Sequence, residues 1–329
     1  MILHCDIIYI TVWEYFHFYP LNIFFELVRQ RKRGATMIKT TITGIGDPYV
    51  LLHEGKYYMY ATSASDGFKF YTSDNLTDWT DGGYCYKDSP WGECDFWAPE
   101  VYARKGKFVM IYTARWSKNH SLRLGVAVAD KPEGPFIDIK PEPLFDYGYA
   151  TIDATLFTDD DGKEYFYFVR DCSENVINGV HTSVIYLSEI NEDLTALVGE
   201  PIEISRPDLP WELEKDSVWQ WNEGPYVLKR NGRYYLNYSG NCYASRHYSI
   251  GCSESKSPLG PFKKYDAPIL AYKENEYSGP GHNMIFEGKD GKLYTAFHVH
   301  TNYEAPSGDR RACISEVYFD ENGAMKIKP

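Results

Sequence analysis

The chain has 329 residues and a formal net charge of −12, with 34 Lys and Arg against 46 Asp and Glu. So acidic a balance disfavours nucleic acid or an anionic membrane surface as the main partner, which leaves neutral or weakly charged ligands. Aromatic residues make up 16%, with 29 Tyr and only 6 Met, a composition suited to β-strands rather than to a helical bundle.

Residues 1–36 differ in character from the rest of the chain. The stretch 7–25 is aromatic and apolar but interrupted by Glu14, His17, Pro20 and Asn22, short of the roughly 18 uninterrupted apolar residues of a spanning helix. The basic run at 29–33 comes after the apolar part, and no small-residue cleavage site accompanies it, the wrong order for a secretory signal. These residues are expected to be an N-terminal extension outside the fold, with the folded domain at 37–329; a membrane-tethering segment is the alternative. The seven cysteines are scattered, odd in number and lack a Cys-x-x-Cys pair, so neither a disulfide framework nor a zinc site is expected. Reduced thiols point to a cytoplasmic location, with secretion or tethering through residues 1–36 as the other reading.

From Met37 the chain reads as five copies of one unit, each opening on a short apolar strand and turning through a Gly-Lys/Arg step, or at Gly106 a Gly-Lys-Phe step, into a Tyr/Phe-rich strand. The openings carry Asp47, Glu100, Asp153, Glu223 and His282, followed by turns such as Asp161-Gly162, Asn231-Gly232 and Asp290-Gly291, which is hairpin chemistry. Later in the unit Lys131-Pro132-Glu133-Gly134-Pro135-Phe136 matches Ser257-Pro258-Leu259-Gly260-Pro261-Phe262. Around four strands per unit predicts an all-β fold, a five-bladed β-propeller, whose first strands line a central channel. Segment 38–43 alternates like a strand and is expected to complete the last blade, pairing an otherwise open edge. A β-sandwich does not predict the recurrence.

A repeat that presents acids at one local position gathers them around the axis, and acid/base chemistry on a sugar bond needs such a gathering. Asp47 before Pro48 has a plain reading as a turn residue, which the recurrence overturns. Asp153 lies among Ile152, Ala154, Leu156 and Phe157, where an unpaired carboxylate is costly. Glu223 sits in an aromatic segment, Trp219-Gln220-Trp221-Asn222, of the kind that raises a carboxyl pKa toward a general acid's value. Glu100 is weaker, because its offset to the next glycine is shorter. Phe96, Trp97 and Trp221 are candidates to stack on a sugar face, with core packing as the alternative. The Asp159-Asp160-Asp161-Gly162 run is expected to be a solvated hairpin turn, since no outlying Glu completes a calcium loop.

The Asp47-Pro48-Tyr49-Val50 opening, Trp97-Ala98-Pro99-Glu100, Ile152-Asp153-Ala154-Thr155, Asn222-Glu223-Gly224-Pro225 and Gly281-His282-Asn283 stand in an order and spacing that resembles glycoside hydrolase family 43, over about residues 44–325. The resemblance implies an inverting hydrolase of arabinose- or xylose-containing glycans. It implies Asp47 as general base, Glu223 as general acid and Asp153 as the acid that orients Glu223 and holds its pKa up. It further implies that His282 lies near the base, with a calcium ion near the axis reached through water in some members, and that Arg310 or Arg311, with Arg310 favoured, reaches the sugar. No cofactor is required on this reading. The substrate expectation is α-L-arabinofuranosidase, then β-xylosidase, then endo-arabinanase. A sugar-binding propeller without activity needs no set of three acids, and a retaining fructan-type hydrolase has motifs that are absent here.

Overall fold

A computed structural model describes residues 37–214 and 216–328, so the expectations for residues 1–36 fall outside the described part. The first antiparallel sheet runs Gly46–His53, Lys56–Thr62, Gly67–Ser73 and Thr80–Lys87, and the second Gly92–Arg104, Lys107–Trp116, Leu122–Ala129 and Ile137–Asp138. Next come Thr151–Thr158, Glu164–Arg170, Val180–Ile190 and Leu197–Ser205, then Trp219–Arg230, Arg233–Gly240, Ser249–Ser255 and Lys263–Lys264. The last sheet is built on Gly281–Glu287, Leu293–His300 and Arg310–Phe319, and beside them lies Ile38–Thr43 from the other end of the chain, with Ile38 opposite Ile314. That pairing closes the edge as the sequence predicted.

The first strands of these sheets touch in a cycle: Gly46–His53 meets Gly92–Arg104, then come Thr151–Thr158, Trp219–Arg230 and Gly281–Glu287, which returns to Gly46–His53. Each sheet is therefore a blade, and the fold is a five-bladed β-propeller. The core lies as apolar slabs between neighbouring blades. Val109, Ile111 and Leu124 of blade 2 face Leu156, Phe166 and Phe168 of blade 3. Tyr165, Tyr167 and Leu187 of blade 3 likewise meet Val227, Tyr234 and Leu236 of blade 4. Second strands such as Glu164–Arg170 (EYFYFVR) are buried on both faces, which is why they read as aromatic and β-branched runs and not as alternating ones. Each such side chain contributes about 1.5–3 kcal/mol by leaving water.

The repeated Pro-x-Gly-Pro-Phe turns are latches. Tyr60 in blade 1 donates its hydroxyl to the carbonyl of Pro132 in blade 2, and Tyr167 in blade 3 donates to that of Pro258 in blade 4, both at 2.6 Å. The Asp159 turn differs from expectation. Asp159 is not merely solvated: it accepts the Tyr234 hydroxyl at 2.6 Å and pairs with Lys229, tying blade 3 to blade 4.

Every inner strand carries a bulge at one level, between Gly46 and Tyr49, Trp97 and Glu100, Ile152 and Thr155, Glu223 and Tyr226, and Gly281 and Met284. The bulged residue has positive φ in each case: Asp47 54°, Ala98 46°, Asp153 51°, Gly224 56° and His282 50°. A residue with a Cβ holds this conformation at a cost of roughly 1–2 kcal/mol, a strain typical of functional sites. The bulge also corrects the sequence alignment. Asp47, Asp153 and His282 are equivalent, whereas Glu223 stands one residue before its bulge and Glu100 two residues beyond, level with Tyr49, Thr155 and Tyr226.

Candidate active site

The bulges of blades 1, 3 and 5 bring Asp47, Asp153 and His282 together on the axis: His282 Nδ1 lies 3.3 Å from Asp47 Oδ1 and 3.8 Å from Asp153 Oδ2. These three line a cavity of about 390 Å³ together with Glu223, Trp97, Trp221, Tyr248 and Arg310. Two glycines give that cavity its shape. At the level Glu223 holds in blade 4, blades 1 and 5 have Gly46 and Gly281; a Cβ there would lie 2.1 Å from the Arg310 guanidinium and 1.9 Å from the Tyr248 ring. The space left by the missing side chains lets Arg310 reach Asp47 and Tyr248 reach Glu223.

Asp47 is held as an anion. Arg310 Nη1 donates to its Oδ1 at 2.9 Å and Thr62 Oγ1 to its Oδ2 at 2.5 Å. Burial by itself would raise the carboxyl, but Arg310, His282, His298 and the Thr62 hydroxyl outweigh it and hold Asp47 well below the usual carboxylate range. His298 is fully buried and kept neutral by that burial and by Arg310, and its Nδ1 accepts the Asp47 backbone N–H at 3.2 Å.

Glu223 is held as an acid. It is buried, and desolvation pushes its carboxyl up to about 8; the Tyr248 hydroxyl, donating to Oε1 at 2.8 Å, opposes the rise, while Asp171 and Asp47 reinforce it. Asp153 is pushed up to about 7 by burial, with His282 opposing and Glu223 and Asp47 adding to the rise. Its Oδ2 accepts the Gly224 N–H at 3.1 Å, which fixes the carboxylate beside the backbone that carries Glu223. Asp171 and Asp47 thus add to the rise at Glu223, and Glu223 and Asp153 disfavour each other's charge.

Three expected site residues lie elsewhere. Phe96 is buried against Phe68, Tyr86 and Tyr112, where edge and offset ring contacts make it core. Glu100, two residues past its bulge, is buried and outside the residues that line the cavity, bonded to the Tyr102 hydroxyl and pushed up to about 8 by desolvation. Arg311 is the strand neighbour of Arg310 and therefore points to the opposite face, outside the residues that line the cavity.

Other residues were not found from the sequence. Asp171 lines the cavity just after a second strand, Thr62 and His298 support the acids from second strands, and Tyr248 does so from the position just before a third strand. The signal in the sequence is that Thr62, Thr113, Ser239 and His298 recur one strand out, opposite the residue before the bulge in four of the five blades. Among the described residues no group of three or more His, Cys, Asp or Glu is arranged to hold a metal ion. The carboxylates beside His282 are already engaged by Arg310, Thr62 and the Gly224 N–H, so they do not form an all-protein oxygen cage; the expected calcium ion, reached from His282 through water, is a different arrangement.

Residues 41–325 match the Glycosyl hydrolases family 43. The chain belongs to that family. This family 43 glycoside hydrolase is 47% identical, with a TM-score of 0.85, to a solved thermostable family-43 glycoside hydrolase, a likeness covering 88% of this chain and 95% of the other. It is 32% identical, with a TM-score of 0.77, to a structure titled endo-1,4-beta-xylanase from Bacteroides thetaiotaomicron, over 90% of this chain and 97% of that one. Among curated relatives, a Beta-D-galactofuranosidase of Aspergillus niger is 29% identical over 85% of this chain and 81% of its own length. An extracellular exo-alpha-(1->5)-L-arabinofuranosidase of Streptomyces chartreusis is 28% identical over 80% of this chain and 82% of its own.

Proposed function

We propose that this glycoside hydrolase acts with inversion on arabinose-containing glycans as an α-L-arabinofuranosidase, with Asp47 as general base, Glu223 as general acid and Asp153 as the positioning acid. One observation carries the reading: a single cavity holds one carboxyl far below and another well above the ordinary range. An inverting hydrolase needs that division, an ionised carboxylate drawing a proton from water on one face of the sugar while a protonated carboxyl donates to the leaving oxygen on the other. Asp47, with Oδ2 bonded to Thr62 and Oδ1 to Arg310, keeps further lone pairs for the water. Glu223 keeps its proton near neutral pH. Arg310, Trp97 and Trp221 line the same cavity, where a guanidinium can bond sugar hydroxyls and the indoles offer stacking faces.

Relatives named for furanose substrates support a furanoside, while others are named for xylose or xylan substrates, so the paired substrates below decide between the two. The free thiols of Cys85, Cys94, Cys172, Cys242, Cys252 and Cys313 support a reducing compartment. Among the described residues no helix is long and apolar enough to cross a membrane. The test is hydrolysis of paired aryl α-L-arabinofuranoside and aryl β-D-xyloside, with NMR of the first-formed anomer. Faster arabinofuranoside cleavage with inversion is expected; a retained anomer would contradict the roles, and a preference for the xyloside would contradict the substrate.

A further inference from the structure

Between the second and third strands of blade 3 the chain leaves the propeller plan. Val176–Ile177 turns through Asn178-Gly179, with φ of 52° and 83°, into Val180–Ile190, the two-residue turn that Asn-Gly favours. The start of that strand then pairs in parallel with the strand entering blade 4, His181 beside Trp219 and Ser183 beside Trp221. On the other side Val176 stands opposite His181. Directly paired residues share a face, so Val176, His181 and Trp219 form a row across three strands, and the row beside it contains Ser183 and Trp221.

The two rows have different surroundings. Trp221 lines the catalytic cavity, as does Cys172, whose N–H is bonded to Ser183 Oγ at 3.1 Å. One rung out, about 7 Å along the strand, the Trp219 and His181 rings stack at 3.8 Å with 14° between planes. His181 Nδ1 lies 2.9 Å from the Cys172 carbonyl, so this row is fastened to the cavity wall. Trp219 is nevertheless 38% exposed and Val176 55%. A rigid aromatic left in water and continuous with a ligand cavity is unexplained by core packing and is what a binding groove presents.

We infer that the Val176–His181–Trp219 row is a distal subsite that receives a sugar unit beyond the one held at Asp47 and Glu223, so that the substrate is an oligosaccharide or polymer. The inference rests on the hydrolase reading of the cavity. A pyranose or furanose ring presents an apolar C–H face that matches an indole, whereas an aryl glycoside has no unit long enough to reach the row.

The test compares kcat/KM and KM of wild type, Trp219→Ala and Trp219→Phe on an aryl arabinofuranoside and on linear arabino-oligosaccharides of two to six units, with xylo-oligosaccharides alongside. In Trp219→Ala, KM for the longer oligosaccharides is expected to rise roughly three- to tenfold, the size of a lost aromatic contact. The aryl substrate should be unaffected, and Trp219→Phe should recover part of the loss. An equal loss on aryl and oligomeric substrates, or unchanged length dependence in Trp219→Ala, overturns the subsite while leaving the hydrolase reading intact. A fall in native mass of Trp219→Ala with unchanged kinetics would overturn it in favour of contact between copies. Wild type that cleaves none of these substrates overturns the cavity reading itself.

Discussion

Four of the five blade junctions at the bulge level are alike, and the fifth is not. The N–H of Ala98 donates to Thr62 Oγ1, that of Asp153 to Thr113 Oγ1, that of His282 to Ser239 Oγ and that of Asp47 to His298 Nδ1, each acceptor lying on the second strand of the preceding blade. Between blades 3 and 4 the equivalent position is Val169, opposite Ile152, fully buried and without an acceptor. The Gly224 N–H therefore turns to Asp153 Oδ2. A structural bond repeated around the ring has been handed to an acid at one junction, and that junction is where Glu223 stands. The ring is maintained by repetition, and the chemistry lies where the repetition is replaced.

The largest break in this comparison is removal of either reacting carboxyl. Glu223→Gln and Asp47→Asn are each expected to lower kcat by about 10² to 10⁴ with circular dichroism unchanged, measured on a glycoside with a poor leaving group. Asp153→Asn keeps the shape but weakens the acceptor for the Gly224 N–H. Its expected loss in kcat is up to about 100-fold, the scale of a misplaced acid, with KM little changed. Wild-type activity should fall as pH rises through about 8, because the active form of Glu223 is the protonated one. Asp171→Asn removes a negative neighbour that favours that proton, so the alkaline limb should shift to lower pH. A limb that stays in place would assign the control of Glu223 elsewhere.

Val169→Thr sharpens the comparison directly by restoring the acceptor of the other four junctions. A threonine hydroxyl competing for the Gly224 N–H should release Asp153 and reduce kcat several-fold, to at most about tenfold; a variant that loses only thermal stability would make Val169 a packing residue alone. The smallest effects belong to the strict part of the repeat. Tyr60→Phe and Tyr167→Phe each remove one latch, with an expected loss of about 1 kcal/mol on denaturant unfolding and no change in kcat.

The strict part was also the more legible. Gly-Lys/Arg-aromatic turns, the duplicated Gly-Pro-Phe segments and the alternating strand 38–43 announced the blades because they arise from local turn and strand chemistry. The axis was read only to within a residue or two. Asp47, Asp153 and His282 were aligned correctly, but Glu100 was drawn into the ring although its short spacing to Gly106 already marked it as out of register. A bulge shifts the face on which each following side chain emerges, and periodicity does not reveal where it falls. Asp171, Tyr248 and His298 stayed hidden because the ring closure, and not any local pattern, brings second and third strands to the cavity. Local spacing favours Arg310 over Arg311, and the structure agrees: the Arg310 guanidinium passes over Gly46 into the cavity, which Arg311 does not line.

The most direct test of the division of labour between Asp47 and Glu223 is the pH dependence of kcat/KM for an aryl arabinofuranoside whose leaving group needs no protonation, measured for wild type and Glu223→Gln. The account predicts appreciable turnover by the variant, since Asp47 still supplies the base, and no alkaline limb near 8 on this substrate, where the proton of Glu223 is not used, against the wild type's limb near 8 on a poor leaving group. An alkaline limb that persists in Glu223→Gln, or a variant as inactive on this substrate as on poor leaving groups, would contradict it.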